Sequence, residues 1–243
     1  MSQASNQISA TYNEQYLNES SEWRDLGGKQ KSSNIIDLCA KYSSKKTLDI
    51  GSGDGAVLSW LDKRNFTNNL SSIEISDSGI AAITVRNLAS LKEVKKFDGY
   101  HIPYEDKSFE LATCSHVIEH VEHPRLLLRE IARVSDVQYF EVPIDFSFFV
   151  DEKIKHYLDY GHINIFTPSL FKFLLKSEGF EVLDERFLFT SNELIEFQFK
   201  NNFKRKLIQK IKNIIVSITP YKKVKPNAYS VLCRHNGNNL SIF

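Results

Sequence analysis

The chain is poor in features that would place it in several large protein classes. Its 243 residues contain only three cysteines, Cys39, Cys114 and Cys233, far apart and without C-x-x-C or other metal-ligand spacing. A disulfide framework is excluded as the basis of the fold, and a reducing cytosol is the expected home. No long uninterrupted apolar run is present: the longest apolar-looking stretch, 208–218, is broken by Lys210, Lys212 and Asn213, which argues against a spanning helix. Met1-Ser2-Gln3-Ala4-Ser5-Asn6 is polar with no apolar segment behind it, so no signal peptide is expected. Charge of one sign is missing too. Lys and Arg number 31 against 30 Asp and Glu, and a net charge of +1 gives no whole-protein drive towards nucleic acid or anionic lipid. What is there suffices for a real core: 42% hydrophobic and 25% charged residues fit one α/β domain with additions.

The informative stretch is 46–74. Thr47-Leu48-Asp49-Ile50 reads as a short buried strand, and it runs into Gly51-Ser52-Gly53-Asp54-Gly55 and then a helical pattern from Ala56 to Leu61. A strand, a glycine loop and a helix start put unpaired backbone N–H groups beside a bare loop that a ligand can approach. About twenty residues on, the strand at 70–75 carries Glu74 where a ribose diol needs an acceptor. The glycine spacing fits a dinucleotide fingerprint and an S-adenosylmethionine (SAM) fingerprint equally well. Charge separates them in this reading, since Asp49 and Asp54 would repel a pyrophosphate at a helix N-terminus but suit a sulfonium and an ammonium.

From this loop onward the sequence resembles the class I SAM-dependent methyltransferases. Phe97-Asp98-Gly99 ends a third strand. Ile102-Pro103-Tyr104-Glu105-Asp106-Lys107-Ser108-Phe109-Glu110-Leu111 is similar to the family's LPF-x-D-x-SFD segment, with Glu110 for the usual Asp. Ser115-His116-Val117-Ile118-Glu119-His120-Val121 is similar to the SxxxEHV segment of the branch containing the quinone-biosynthesis enzymes, and Gly161-His162 through Phe166-Thr167 resembles its GH-x-x-x-F-T/S segment. The resemblance implies that Asp49, Gly51, Ser52, Gly53, Asp54 and Gly55 surround the methionine part of SAM, Glu74 and Ile75 the ribose, and Asp98 with Gly99 the adenine. Ser115 and His116 close the far side. It also places Tyr12 and Tyr16 in an N-terminal lid and Tyr157 and Tyr160 in an acceptor-binding insertion. His120 and His162 are the expected catalytic bases, because histidine suits removal of a proton from a hydroxyl or amine near neutral pH.

Other readings stand beside these. His116-x-x-Glu119-His120 satisfies an inverted zinc-protease pattern if it lies on a helix; one strand after a nucleoside half-sheet, no metal is expected. Gly27-Gly28 is a hinge candidate between an arm, 1–30, and the domain, 31–243. Ser135-Asp136-Val137-Gln138 stands where relatives turn, before a strand at 139–143. Residues 200–225 hold nine Lys and Arg, no acid, and an apolar stripe of Leu207, Ile208, Ile211, Ile214, Ile215 and Ile218. That is either a helix packed on the domain with a solvated basic face or an amphipathic segment on anionic lipid, with a location at the inner membrane face in the second case.

The expected architecture is a Rossmann-like α/β fold. It has a seven-stranded, mostly parallel sheet with helices on both faces, an antiparallel last strand, insertions at about 144–166 and 190–226, and a helical lid. The expected activity is SAM-dependent methylation of an oxygen or nitrogen on a small-molecule, sugar or lipid-linked acceptor. An Asn/Asp-Pro-Pro-aromatic signature is missing after the fourth strand, so no nucleic acid is expected. An NAD-dependent oxidoreductase and a non-catalytic SAM-binding protein remain as alternatives.

Overall fold

The computed structural model describes residues 21–146, 150–218 and 225–237. In chain order the elements are α1 (Ser21–Cys39), β1 (Thr47–Ile50), α2 (Ala56–Lys63), β2 (Leu70–Glu74), α3 (Asp77–Val85), β3 (Leu91–Lys96), β4 (Phe109–Ser115), α4 (Pro124–Val134), β5 (Ser135–Pro143), α5 (Ile154–Asp159), α6 (Pro168–Ser177), β6 (Phe180–Leu188), α7 (Asn192–Gln198), α8 (Phe203–Ile218) and β7 (Ala228–His235). Local chemistry sets most of these boundaries. Ser76 caps α3 by accepting from the Gly79 N–H, Thr167 caps α6 through the Leu170 N–H, and Pro124 and Pro168 occupy first-turn positions where a missing N–H costs nothing.

The strands form one seven-stranded sheet in the order β3-β2-β1-β4-β5-β7-β6. β1 to β5 pair in parallel, and β7 inserts antiparallel between β5 and β6. The expected sheet is therefore present. Because the chain leaves β1 towards β2 and β3 on one side and resumes at β4 on the other, the switch point lies between β1 and β4. That crevice, at the carboxyl ends of the strands, is where open α/β sheets receive ligands. Alternation along the strands divides the core. Leu48, Ile50, Phe140 and Val142 pack with Leu127, Leu128 and Ile131 of α4 and Phe171 and Leu175 of α6. Leu111, Val137, Tyr139 and Leu232 pack on the other face beneath Ile35, Leu38 and Cys39 of α1. Leu127, Leu128, Ile131 and Val134 are all fully buried. At about 1.5–3 kcal/mol per buried side chain they account for much of what holds α4 down.

Two local expectations are corrected. Gly27-Gly28 is not a hinge: α1 runs unbroken through it, and a Cβ on Gly28 would sit 2.7 Å from the Ala56 backbone, so this glycine lets α1 cross the start of α2. Residues 135–138 are not a turn, because β5 begins at Ser135, directly after α4. α3 ends at Val85, and Asn87 follows in the left-handed region at φ 48.

The insertion after β6 has a structural task. Trp23 stacks on Phe197 of α7, Lys29 Nζ binds Glu193 at 2.7 Å, and Gln30 bonds both the Phe189 carbonyl and the Ser191 N–H. α1 is thereby fastened across the β6–α7 connection. The lid residues Tyr12 and Tyr16 lie outside the described residues.

Candidate active site

The glycine loop begins where β1 stops. Gly51 (φ 67), Gly53 (φ 57) and Gly55 (φ 79) all hold the left-handed conformation that side chains resist. A Cβ on Gly51 would lie 2.6 Å from Val117 Cγ2, so the bare loop presses directly on the turn after β4. Glu74, at the end of β2, is 3% exposed and grips the loop from below. Its Oε2 accepts from the Gly53 N–H at 2.9 Å, and Oε1 from the Ser76 N–H and hydroxyl at 3.1 and 2.8 Å. Oε1 thus has both lone-pair directions filled, whereas Oε2, with one donor, keeps a second direction for a ribose hydroxyl.

Asp49 projects towards the α1 side and accepts from Thr113 Oγ1 at 2.7 Å. Burial lifts its pKa from 3.8 to about 6, against the hydrogen bonds from Ser52 and Thr113 and the charge of Lys31. An acid whose ionised form burial disfavours gains from a cation placed beside it.

Asp54 behaves differently from the reading that gave it the same task. Arg24 Nε at 3.0 Å and Arg86 Nη2 at 3.1 Å both bind its Oδ2, and Oδ1 accepts from the Ala56 N–H. Two guanidiniums answer its one negative charge, so Asp54 does not repel a phosphate as expected; it ties α1 and the end of α3 to the loop. Asp98 is exposed and its Oδ1 accepts from the Tyr100 and His101 N–H groups at 2.9 and 2.7 Å, which makes it the organiser of its own turn. Ser52 Oγ is buried against Ser72 Oγ at 2.7 Å. Ser115 Oγ is buried and has no hydrogen-bond partner among the described residues, a donor in want of a ligand at the end of β4.

Across the switch point lies a second polar cluster. His116 has φ 57, and only a single 3₁₀ turn, Ile118–His120, follows it. The helix that the zinc-protease pattern needs is missing there, and the outer nitrogens of the two imidazoles are anchored on different partners. His116 Nε2 meets Glu141 Oε1 at 3.1 Å, while His120 Nδ1 meets the Gly161 carbonyl at 2.9 Å. Glu141 is 2% exposed and also accepts from Tyr139 Oη at 2.5 Å and Asn34 Nδ2 at 3.2 Å. Burial and Lys31 would lower the His116 pKa, but Glu119 and Glu141 outweigh them and raise it.

The segment after α5 brings His162 alongside. The Ile163 and Asn164 N–H groups both donate to the Glu119 carbonyl at 2.9 Å, and Asn164 Nδ2 donates to the Val121 carbonyl at 2.7 Å. Gly161 (φ 72) permits the approach, since a Cβ there would stand 3.4 Å from His120 Nδ1. The His120 and His162 rings end 4.9 Å apart, edge to face. Asp145 Oδ2 holds His162 Nδ1 at 2.6 Å, and the Asp145 carbonyl takes the Tyr157 hydroxyl at 2.6 Å. Tyr157 is 8% exposed, so it braces Asp145 instead of facing an acceptor as expected; Tyr160 is exposed, with its ring 6.2 Å from His162.

Arg24, Arg86, Asn34, Glu141 and Asp145 were not singled out from the sequence. A charged residue inside the apolar run Tyr139–Val142 was the one available signal, since a fully buried Glu needs a partner. The others act through contacts distant in the chain.

A family model described as "Methyltransferase domain" matches residues 22–185, from α1 into β6. The chain belongs to this methyltransferase family. SAM is the methyl donor that the family implies, and the loop, Asp49, Glu74 and Ser115 fit it. The methyltransferase is 30% identical over 127 residues to YrhH of Bacillus subtilis (strain 168), a methyltransferase by name only; the match covers 51% of this chain and 69% of YrhH. Its fold is similar to that of a SAM-dependent methyltransferase from Mesorhizobium loti, with TM-score 0.60 and 14% identity over 86% of this chain and 99% of that one. It is equally similar, at TM-score 0.60 and 16% identity over 85% and 80%, to the [4+2]-cyclase SpnF. At such identities the likeness concerns fold alone, and the function has to be argued from the site.

Proposed function

We propose that this methyltransferase transfers the methyl group of SAM to an oxygen or nitrogen of a small-molecule, sugar or lipid-linked acceptor seated between the glycine loop and the His120–His162 pair. The observation that carries the proposal is the anchoring of those two rings. A carbonyl can only accept, so His120 Nδ1 carries the hydrogen and the neutral ring keeps its lone pair on Nε2; the Asp145 carboxylate, accepting at His162 Nδ1, imposes the same tautomer there. Two oriented Lewis bases thus stand beside the turn that touches Gly51.

Bound at the loop, SAM supplies an electrophilic methyl on a sulfonium. The acceptor's heteroatom takes the methyl as the S–CH3 bond breaks, and its proton passes to an imidazole Nε2. Holding the partners in line can supply roughly 7–11 kcal/mol at the upper end, and an oriented base about 10²–10⁴-fold in rate.

A specific observation favours a lipid-linked acceptor. Phe203, Leu207, Ile208 and Ile211 of α8 are between 45% and 74% exposed, while Lys204 and Arg205 beside them are exposed cations. Lys206 and Lys210 are paired with Glu196. An apolar stripe open to solvent and flanked by unburied cations suits an anionic lipid surface. Ile154, Leu158, Ile163 and Ile165, around the His162 segment, are exposed as well.

The test is a screen with labelled SAM over sugar nucleotides, quinone precursors and lipid extracts. Label on an oxygen or nitrogen of one of these classes is the expected result. Transfer only to protein or nucleic acid, or to no acceptor at all, would overturn the proposal.

A further inference from the structure

Glu119 is explained neither by the donor site nor by packing. It is fully buried in the single turn that carries His120, and neither carboxylate oxygen has a hydrogen bond among the described residues. Its charged neighbours are imidazoles, with His116 Nδ1 at 3.5 Å and His120 Nε2 at 3.7 Å. A carboxylate sealed from water is costly unless a cation faces it.

One ligand atom each from Glu119, His120 and His162 lie within 4.8 Å of one another. The outer contacts are those that metal-bound imidazoles need: each Nδ1 is held by an oxygen, Gly161 O at 2.9 Å for His120 and Asp145 Oδ2 at 2.6 Å for His162, so each Nε2 faces inward as a donor. Metal–nitrogen bonds of about 2.0–2.1 Å put tetrahedral ligand atoms roughly 3.3 Å apart, so no pair would have to draw in by more than about 1.5 Å. His162 sits on the segment between α5 and α6, which the Ile163 and Asn164 N–H groups tie to the Glu119 carbonyl, so its ring is carried against the same turn.

We propose that Glu119, His120 and His162 form a binding site for one divalent transition-metal ion of the zinc class, with an open position towards the acceptor. Two imidazoles and one carboxylate are a donor set for Zn²⁺ and its neighbours, whereas Mg²⁺ and Ca²⁺ prefer oxygen alone. With the ion bound, the two Nε2 lone pairs would ligate it instead of taking the acceptor's proton, so metal-assisted deprotonation would replace the imidazole base of the metal-free site. An acceptor suited to it carries an oxygen at or beside the methylated atom. Coordination makes that hydroxyl more acidic, its proton leaves to water, and the O–CH3 bond forms as the S–CH3 bond breaks. This inference rests on the reading that the acceptor binds at this edge of the sheet.

The test titrates metal-stripped protein with Co²⁺ and then Zn²⁺, following heat and visible absorption, with SAM affinity measured on the same samples. One equivalent of Co²⁺ should bind with the intense bands of a low-coordinate nitrogen–oxygen site and be displaced by Zn²⁺. Glu119→Gln and, independently, His162→Ala should weaken binding by roughly 100-fold or more, and Asp145→Asn by about 10–100-fold. Absence of stoichiometric binding, or binding undiminished in His162→Ala, overturns the inference. Loss of metal binding with SAM affinity intact is the expected signature of the variants. SAM failing to bind wild-type protein in the presence or absence of metal would instead overturn the donor-site reading.

Discussion

The two sides of the switch point are built on opposite terms. On the donor side, the ends of β1 and β2 and the loop between them, the carboxylates Glu74 and Asp54 are bound by donors from residues close to the loop or clamped by arginines. On the proposed acceptor side, from β4 to the start of α6, Glu119 has no hydrogen bond among the described residues, and His120 and His162 are held only at Nδ1, by the Gly161 carbonyl and by Asp145. The difference is that of a preformed socket against a site awaiting something. A donor common to every turnover rewards a finished pocket, whereas unsatisfied buried groups retain binding energy for a ligand yet to arrive.

The largest effects should come from the acceptor side and leave the donor side untouched. His162→Gln should lower turnover by about 10²–10⁴-fold, with SAM affinity by calorimetry unchanged. If both fall together, the division between the two halves is wrong. The complementary substitution is Glu74→Ala, which removes the acceptor of the Gly53 and Ser76 N–H groups. A lost charge-assisted hydrogen bond is worth about 1.5–3 kcal/mol, so SAM affinity should fall by roughly 10–100-fold or more. Equal affinity in wild type and variant would remove Glu74 from the site.

Asp49 sharpens the comparison through pH. Its pKa in the folded protein, about 6, lies above the ordinary 3.8, so the folded state holds the proton more tightly than the unfolded chain. The resulting stabilisation is fully present below pH 3.8 and is lost as pH rises through about 6; the difference is on the order of 3 kcal/mol. Melting temperatures of wild type and Asp49→Asn should therefore diverge between these limits. SAM, a cation, favours the ionised form, so its affinity should climb about tenfold per pH unit up to the folded pKa and then level off, and Asp49→Asn should flatten that climb. A pH-independent wild-type affinity would show that Asp49 does not face the sulfonium or the ammonium.

The same contrast explains what was legible in the sequence. The donor half is written in short-range signals: glycines at two-residue spacing, an acid at a strand end, a serine cap. Its strands and helices fall close to the expected places, as does the antiparallel β7. The acceptor half depends on pairs such as Asn34 with Glu141, 107 residues apart, and His120 with Gly161, 41 apart. No local pattern encodes such pairs. His116-x-x-Glu119-His120 has a zinc-protease spacing that the sequence reading set aside, and the left-handed backbone at His116 prevents the helical face that pattern needs. Asp54 did mislead: its charge is visible in the sequence, but the two arginines that answer it are 30 and 32 residues away.

The smallest effect on the fold is expected at the apolar stripe of α8, and there the prediction separates packing from docking. Leu207 is 46% and Ile208 62% exposed, so Leu207→Ser with Ile208→Ser removes little buried surface. The melting temperature should stay nearly unchanged, as for surface substitutions within about 0.5 kcal/mol. Sedimentation with phosphatidylglycerol vesicles should nevertheless fall severalfold, and raising the salt should weaken what remains, because exposed Lys204 and Arg205 supply the electrostatic part. A stripe that only packs against the protein would give the reverse pattern, with a lower melting temperature and vesicle binding absent from wild type and variant alike. The solvent-open side chains of α8 favour the first outcome, since a helix held by its apolar face does not leave Ile208 more than half uncovered.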